Sequence, residues 1–190
     1  FMNIQNTNNT FKVVISVGDE SGVGPEITLQ ALSSNEIPQN IDFIIVGSKK
    51  NLENTYSRLK SLGLKKLSNP NSLQIHDIEI SSSENQSKSS YGNSSFYYLT
   101  KAIEIVKKYP NSALVTGPIC KKSWALAGHY FAGQTEVLAT SCGIENVGML
   151  FTAKSPITGW RFNTLLATTH IALSEVPKRL NTKLIHAKLD

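Results

Sequence analysis

Three glycines and three acidic residues stand close together near the start of the sequence, in the stretch SVGDESGVGPEIT (residues 16–28). Gly22 and Gly24 can adopt positive φ and let a backbone approach a ligand closely. Pro25 suits the first position of a helix, whose N–H groups would then face the loop and attract an anion. The spacing matches neither the G-x-G-x-x-G of a dinucleotide-binding turn nor the G-x-x-x-x-G-K-[ST] of a P-loop. Spacing alone therefore leaves two interpretations open, a ligand-binding loop and a tight strand-to-helix turn.

Four histidines are candidate metal ligands, and three of them have simpler explanations. We expect His76 on the wetter face of a strand, His129 in a loop where it caps or faces water, and His186 on the solvated face of a helix. His170 differs because it follows the apolar run NTLLATT (163–169), which would bring it to the carboxyl edge of a sheet. The residues alone still favour a hydrogen-bonded core or edge histidine there. A single histidine cannot make a metal site, since zinc takes three or four ligands and magnesium more.

Three further polar groups could contact a ligand. Thr135, in GQTE (133–136), could bind substrate or cap a helix. Lys121 and Lys122 follow a predicted strand and could face an anionic group or lie in a solvated first turn of a helix. Asp19 and Glu20 are candidates for contacts near a cofactor. No spacing rule decides the roles of these residues.

Composition excludes several classes of protein. The 190 residues are 40% hydrophobic and 17% charged, which is typical of a folded chain. The net charge is +5, but the lysines are scattered, so we expect no nucleic-acid partner, and the excess of positive charge suits small anionic substrates. The two cysteines form no C-x-x-C pair and favour a reducing compartment. With no apolar run of membrane-spanning length, we expect no membrane partner and a cytoplasmic location.

Short apolar runs alternate with helical patterns along the chain. Five runs are apolar at successive positions, which is typical of strands buried on both faces of a parallel sheet; they are 12–17, 42–47, 112–117, 147–153 and 163–169. The run 73–80 alternates in part and predicts a strand with a wetter face. Helices are predicted from Pro25 and over 52–62, 95–109, 135–143 and 174–190, with a polar loop at 81–90. The pattern predicts a layered α/β fold with a mostly parallel sheet.

Four segments carry a resemblance to a known family. GDESGVGPE resembles the G-D-P-A-G-I-G-P-E signature of the 4-hydroxythreonine-4-phosphate dehydrogenases, of which G-D-G-I-G-P-E in isocitrate and isopropylmalate dehydrogenases is a shorter form. LVTGPICKK (114–122), AGHYFAGQTEVLA (127–139) and LLATTHIAL (165–173) resemble family segments in the same order. The resemblance implies a two-domain architecture like that of isocitrate dehydrogenase. We predict a disordered lead-in at 1–10, a first α/β domain at 11–125 and the start of a second, dimer-forming domain at 126–190.

The resemblance also implies a chemistry. The complete protein would use NAD and a divalent metal (zinc, magnesium or cobalt) to oxidise 4-phosphooxy-L-threonine, and the product would lose CO₂. Such a metal lowers the pKa of a coordinated hydroxyl. His170 would be a metal ligand of a site shared across a homodimer, and Gln134 and Thr135 would bind the small phosphorylated substrate. The family has histidine where this chain has Gln134, and glutamine cannot carry a charge at neutral pH.

Two alternatives stay open. Relatives of this family oxidise other four-carbon phosphorylated acids, 4-phosphoerythronate and 4-phosphothreonate, and Gln134 could mark such a change of substrate. Alternatively, the 190 residues are a non-catalytic portion, because the family's chain continues with its remaining metal ligands and substrate-binding residues. The sequence therefore predicts an enzyme for the complete protein and an inactive fragment for residues 1–190.

Overall fold

The computed structural model describes residues 10–38, 40–78, 87–169 and 171–189. The chain divides into two compact units, Phe1–Gln134 and Thr135–Asp190. The predicted domain limits, 11–125 and 126–190, stay a prediction. None of the helices in the described part of the chain combines the length and hydrophobicity that a membrane span needs.

The first unit is built on a four-stranded sheet in which all neighbouring strands are parallel. Its strands are β1 (Phe11–Ser16), β2 (Ile41–Gly47), β3 (Ile75–Asp77) and β4 (Ser112–Thr116), and their order is β3-β2-β1-β4. Val14 of β1 lies opposite Ile44 of β2 and Leu114 of β4. The parallel α/β fold predicted from the sequence is confirmed.

The helices of this unit begin where the sequence supplies the right end groups. They are α1 (Gly24–Ala31), α2 (Lys49–Ser61), α3 (Lys88–Val106) and α4 (Lys121–Leu126), with a short 3₁₀ turn at Pro70–Ser72. Ser48 caps α2 by accepting from the Asn51 N–H over 3.1 Å. Ser87 and Ser90 form a capping box at the start of α3. The prediction that α3 starts at residue 95 was therefore wrong. Of the predicted loop 81–90, residues 81–86 lie outside the described residues, and residues 87–90 form the cap and the first turn of α3.

Two hydrophobic clusters cover the two faces of the sheet. One packs around α3 and contains Val14, Ile44, Val46, Tyr98, Ala102 and Ile105. The other packs around α1 and α2 and contains Val17, Leu29, Ile45, Leu52, Leu59 and Leu67. Ile44 and Ile45 are neighbours on β2 but belong to opposite clusters. This double burial explains why the central strands are apolar at successive positions.

The second unit contains a hairpin and short helices. Helix α5 (Gln134–Cys142) leads into it, and Gly143 ends α5 with a φ of +66°, as the sequence predicted. Strands β5 (Met149–Lys154) and β6 (Arg161–Leu166) pair antiparallel, and α6 (Val176–Arg179) and α7 (Thr182–Leu189) follow a 3₁₀ turn at Leu173–Glu175.

Two predictions for this unit were wrong. The runs at 147–153 and 163–169 were expected in a doubly buried parallel sheet, but β5 and β6 pair with each other, and a connection this short permits only an antiparallel pair. A single helix was expected over 174–190. Leu180 is extended, with a ψ of 115°, and Asn181 starts α7 by accepting from the Leu184 N–H over 2.9 Å.

Candidate functional site

The carboxyl ends of β1 to β4 lie along one edge of the sheet, because the four strands are parallel. We call this the carboxyl edge; it comprises residues 17–24, 47–48, 77–78 and 116–118. Ligands of open α/β sheets bind at such an edge. Two backbone hydrogen bonds join the ends of β1 and β4: the Asp19 N–H donates to Pro118 O over 2.9 Å, and the Gly117 N–H donates to Ser16 O over 2.6 Å.

The glycine loop, residues 18–24, is tightly packed against its own backbone. Gly18 has a φ of +82°, which favours glycine, and a Cβ there would lie 2.3 Å from Pro118 O. A Cβ on Gly24 would lie 2.1 Å from Val17 O. Both glycines are therefore required by contacts within the protein, whatever the loop binds.

The crest of the loop, residues 21–23, is exposed. A Cβ on Gly22 would approach Asp19 O only to 3.4 Å, so this position has room. Gly22 and Gly24 do not use the positive φ that glycine permits; of the three loop glycines, Gly18 alone does so. The crest is thus the part of the loop that a ligand can reach.

Asp19 shapes the turn that carries the crest. Its side chain is buried, and Oδ1 accepts from the Ser21 N–H over 2.9 Å and from the Ser21 hydroxyl over 2.7 Å. The Gly22 N–H donates to Asp19 O over 3.1 Å. An aspartate that bonds the backbone two residues on is a common turn-former. The structure therefore gives Asp19 a role in the turn.

Glu20 lies in a cluster of acidic groups beside α3. The pKa of Glu20 is raised above its usual value, chiefly by burial and also by the charges of Asp19 and Asp77. A hydrogen bond from the Tyr98 hydroxyl opposes this shift. Burial and the adjacent Glu20 also raise the pKa of the Tyr98 hydroxyl well above its usual value. Asp77, at the end of β3, accepts from the Lys49 N–H at the start of α2 over 2.8 Å. The carboxyl edge therefore carries negative charge near β1, β2 and β3.

Gln134 reaches the carboxyl edge from the start of α5. Its Nε2 donates to Gly117 O over 3.1 Å, next to the end of β4. Its Oε1 is buried and accepts no hydrogen bond from any described residue. Thr135 is half-buried and is the second residue of α5, so it does not cap that helix. The structure thus places an unused acceptor of Gln134 close to the carboxyl edge.

An aromatic cluster holds the segment that precedes Gln134. His129 stacks on Phe96 of α3, with ring centroids 3.8 Å apart and planes 8° from parallel, and its Nε2 lies 2.9 Å from Asn93 Oδ1. Trp124 is fully buried, and its indole N–H donates to Ser95 Oγ over 2.8 Å. His129 was expected to cap or face water; it is half-buried, and it also stacks on Phe96 and bonds to Asn93, contacts that were not expected.

Sequence reasoning missed this cluster, although one signal was present. A serine at 95 and aromatic residues at 96 to 98 fall in a predicted helix, where neighbouring residues point in different directions. Ser95 and Tyr98, three positions apart, are both buried, whereas Tyr97 is half-exposed. Their partners lie elsewhere in the chain and could not be identified by spacing.

Lys121 and Lys122 form the exposed first turn of α4. This position fits the simpler of the two interpretations left open for them. Cys120 precedes them, and a hydrogen bond from the Ser123 side chain lowers the pKa of its thiol. His76 and His186 are exposed, as expected.

His170 lies outside the described residues. The strand β6 before it ends at Leu166, three residues earlier than the predicted run. Its neighbours in sequence, Thr169 and Ile171, line an open pocket of about 600 Å³ in the second unit. Among the residues that the structure describes, no three His, Cys, Asp or Glu side chains are grouped so that they could hold a metal ion. Those residues alone therefore do not fit a metal site.

Comparison with protein families and curated proteins gives consistent matches. The model of a family described as "Pyridoxal phosphate biosynthetic protein PdxA" matches residues 39–190. The 4-hydroxythreonine-4-phosphate dehydrogenase of Nostoc sp. (strain PCC 7120 / SAG 25.82 / UTEX 2576) is 40% identical over 186 residues, which cover 94% of this chain and 51% of that protein. The enzyme of the same name from Synechococcus sp. (strain JA-3-3Ab) is 41% identical over 185 residues, covering 94% and 53%. The chain thus spans about half the length of the curated relatives it matches.

Solved structures show the same fold. A 4-hydroxythreonine-4-phosphate dehydrogenase from Burkholderia phymatum superposes with a TM-score of 0.77 at 20% identity, covering 94% of this chain and 56% of that one. The structure of the enzyme of that name from Klebsiella pneumoniae gives 0.74 at 21% identity, covering 94% and 57%. At these identities the likeness concerns the fold alone.

Proposed function

The chain belongs to the family of the pyridoxal phosphate biosynthetic protein PdxA, and on that premise we propose that the complete protein is an NAD-dependent 4-hydroxythreonine-4-phosphate dehydrogenase. A hydride passes from C3 of 4-phosphooxy-L-threonine to the nicotinamide, and the 3-hydroxyl loses its proton. The product, 2-amino-3-oxo-4-phosphooxybutanoate, is a β-keto acid and loses CO₂ to give 3-amino-2-oxopropyl phosphate. This is a step of pyridoxine 5′-phosphate biosynthesis, and the cytoplasmic location expected from the cysteine usage is part of the proposal.

One observation carries the proposal from the structure: three of the four family-like segments meet at the carboxyl edge. The glycine loop bonds to Pro118 through the Asp19 N–H, and Gln134 bonds to Gly117 O. The first contact joins residues 99 positions apart in the sequence, and the second adds a segment 17 positions further along from Gly117. The meeting point lies where open α/β sheets bind ligands.

The proposed roles follow from the groups that are available there. The crest of the glycine loop faces the cofactor, whose nicotinamide supplies the redox chemistry. Gln134 and Thr135 orient the substrate. Because Nε2 of Gln134 is bonded to Gly117 O, its Oε1 accepts a hydrogen bond from a substrate group that can donate one. A hydroxyl or an ammonium group fits this requirement, whereas a phosphate dianion does not.

The proposed metal site depends on residues that the structure does not describe. His170 is the proposed ligand for zinc, magnesium or cobalt, and it requires further ligands from the rest of the protein or from a second copy in a homodimer. We therefore propose that residues 1–190 alone bind metal weakly and do not oxidise the substrate. A multi-ligand site gains its affinity when folding brings all the ligands together.

The test of this function uses the full-length protein, residues 1–190 alone, and two histidine variants. NADH formation with 4-phosphooxy-L-threonine and metal content after dialysis are measured for each. We expect His170→Ala to lose both metal and turnover, while His186→Ala, which removes an exposed histidine on α7, keeps both. A full-length protein that forms no NADH would refute the proposed activity, and an active, metal-replete His170→Ala enzyme would refute the role of His170.

A related substrate is the second candidate, and Gln134 favours it. The family has a histidine at this position, so a change in the substrate group that meets residue 134 is a reasonable consequence. Turnover of 4-phosphoerythronate and 4-phosphothreonate should be compared with that of 4-phosphooxy-L-threonine in the native protein and in Gln134→His. If Gln134 sets the preference, the ratio of kcat/KM values changes with the substitution. An unchanged ratio would show that Gln134 does not set the preference. In that case 4-phosphooxy-L-threonine is the substrate if the native protein prefers it.

A further inference from the structure

The side chain of Glu20 connects the glycine loop to α3. Its Oε1 accepts a hydrogen bond from the hydroxyl of Tyr98 on α3. Tyr98 is only 1% exposed and belongs to the cluster of the core that packs around α3. Its hydroxyl is therefore a fixed point, and Glu20 ties the loop to it.

The remaining attachments of the loop lie mainly at its base. The Asp19 N–H bonds to Pro118 O, and the other hydrogen bonds of Asp19 close the local turn with Ser21 and Gly22. Beyond that turn the exposed crest at 21–23 leads into α1. Glu20, which directly precedes the crest, is thus the loop side chain that bonds to α3.

Three residues of the loop depart from the family signature, and two of them, Glu20 and Ser21, restrict the loop through their side chains; the third, Val23, replaces an isoleucine. The signature has proline and alanine where this chain has Glu20 and Ser21. A proline restricts a loop through its fixed φ and through the smaller number of unfolded conformations. Here hydrogen bonds restrict it instead: Glu20 bonds to Tyr98 on α3, and Ser21 bonds to Asp19.

We propose that Glu20 is a positioning residue, which holds the crest of the glycine loop in the conformation that receives the dinucleotide. Glu20 does not contact the ligand itself; it acts through the backbone of residues 21–23. A loop that is ordered before binding gives tighter binding, because the ordering cost has been met during folding. The identity of the ligand rests on the proposed function, whereas the ordering of the loop does not.

The test uses Glu20→Ala, Tyr98→Phe and the double variant in the full-length protein. Hydrogen exchange of the amides at 20–23 and the kinetics with NAD are measured in parallel. We expect exchange to rise at least about tenfold and the KM for NAD to rise about tenfold, which is the effect of losing one hydrogen bond to a charged group, with kcat changed less than about threefold. The double variant should be no worse than Glu20→Ala, because both substitutions remove the same bond.

Two matched controls separate positioning from general damage. Glu53→Ala removes a half-exposed glutamate of α2 that pairs with Lys49, and Tyr97→Phe removes the hydroxyl of the half-exposed neighbour of Tyr98 on α3. Neither should change loop exchange or the KM for NAD. Exchange that is unchanged in Glu20→Ala would overturn the inference, as would a fall in kcat at constant KM. If the unsubstituted protein does not use NAD, the proposed function fails, and the exchange measurement alone then decides whether Glu20 orders the loop.

Discussion

Alanine substitutions at two glycines of one loop, Gly24 and Gly22, should have opposite effects on stability. Gly24 is the first residue of α1, and a Cβ there would lie 2.1 Å from Val17 O. The same atom on Gly22 would have Asp19 O as its nearest neighbour, at 3.4 Å. Neither residue has a positive φ, so backbone strain does not distinguish them. The pair therefore isolates the effect of the close approach.

The magnitude follows from the size of the overlap. At Gly24 the new methyl group would be 1.3 Å closer than the 3.4 Å at which ordinary contact begins, and the obstacle is backbone, which cannot rotate away. Overpacking of this kind costs about 1–3 kcal/mol, so we expect Gly24→Ala to lower the free energy of unfolding by about 3 kcal/mol. Gly22→Ala should raise it by about 0.5 kcal/mol, because alanine has fewer unfolded conformations.

The assay is urea unfolding followed by circular dichroism, with the slope m compared between variants. Equal slopes mean that a shift in midpoint reports stability. Helix propensity alone would make Gly24→Ala stabilising by up to about 1 kcal/mol, since alanine is the better helix former. The sign of the change thus separates the two effects. A Gly24→Ala protein at least as stable as Gly22→Ala would show that the packing argument is wrong.

Three further substitutions test other contacts of the first unit. Trp124→Phe removes the indole donor to Ser95 and leaves space in the core, so the free energy of unfolding should fall by about 2 kcal/mol, as urea midpoints would show; no change would mean that this bond contributes nothing. Ser48→Ala removes the cap from the Asn51 N–H and should cost about 1 kcal/mol by the same measurement, and a neutral result would contradict the capping role. Burial lowers the pKa of His129, so the folded state favours the neutral ring. The contribution of the neutral His129 ring to stability is present above a pH of about 6.5 and is lost as the pH falls through the lowered pKa of the folded state. His129→Phe keeps the stacked ring and should flatten stability against pH in that range, whereas an unaltered pH profile would exclude His129 as its source.

The parallel core could be predicted from the sequence because its signal is local. Strands β1, β2 and β4 lie within one or two residues of the predicted runs, since a strand buried on both faces must be apolar at every position. The end of α5 was predictable for a similar reason, because Gly143 adopts a conformation that suits glycine.

The pairing of β5 with β6 was not predictable in the same way. An apolar run does not determine which strand it pairs with, and the composition of these two strands resembled that of the central ones. The observed burial contradicts the prediction of a sheet covered on both faces: most residues of β5 and the first half of β6 are exposed in the described chain. Local composition therefore identified the strands but not their partners.

Part of the candidate site also could not be predicted from short stretches of the sequence. The sequence identified the glycine loop, Gln134 and the segment after β4 as candidates, and the structure brings them to one edge of the sheet. The bond between Glu20 and Tyr98 joins residues 78 positions apart, and the glycines at 18 and 24 face backbone whose position depends on the whole fold. Such contacts have no signature in a short stretch of sequence.

The burial of Trp124 also gives the protein a built-in optical reporter. The chain has two tryptophans, and they lie in different units: Trp124 is fully buried in the first, and Trp160 is 64% exposed in the second. A buried indole emits at shorter wavelength and is shielded from dissolved quenchers, whereas an exposed one emits at longer wavelength and is quenched readily. Fluorescence can therefore follow the unfolding of the first unit through the red shift of Trp124, while the signal of Trp160 changes little. A Trp160→Phe background would leave a single emitting indole that reports on the unit carrying the glycine loop.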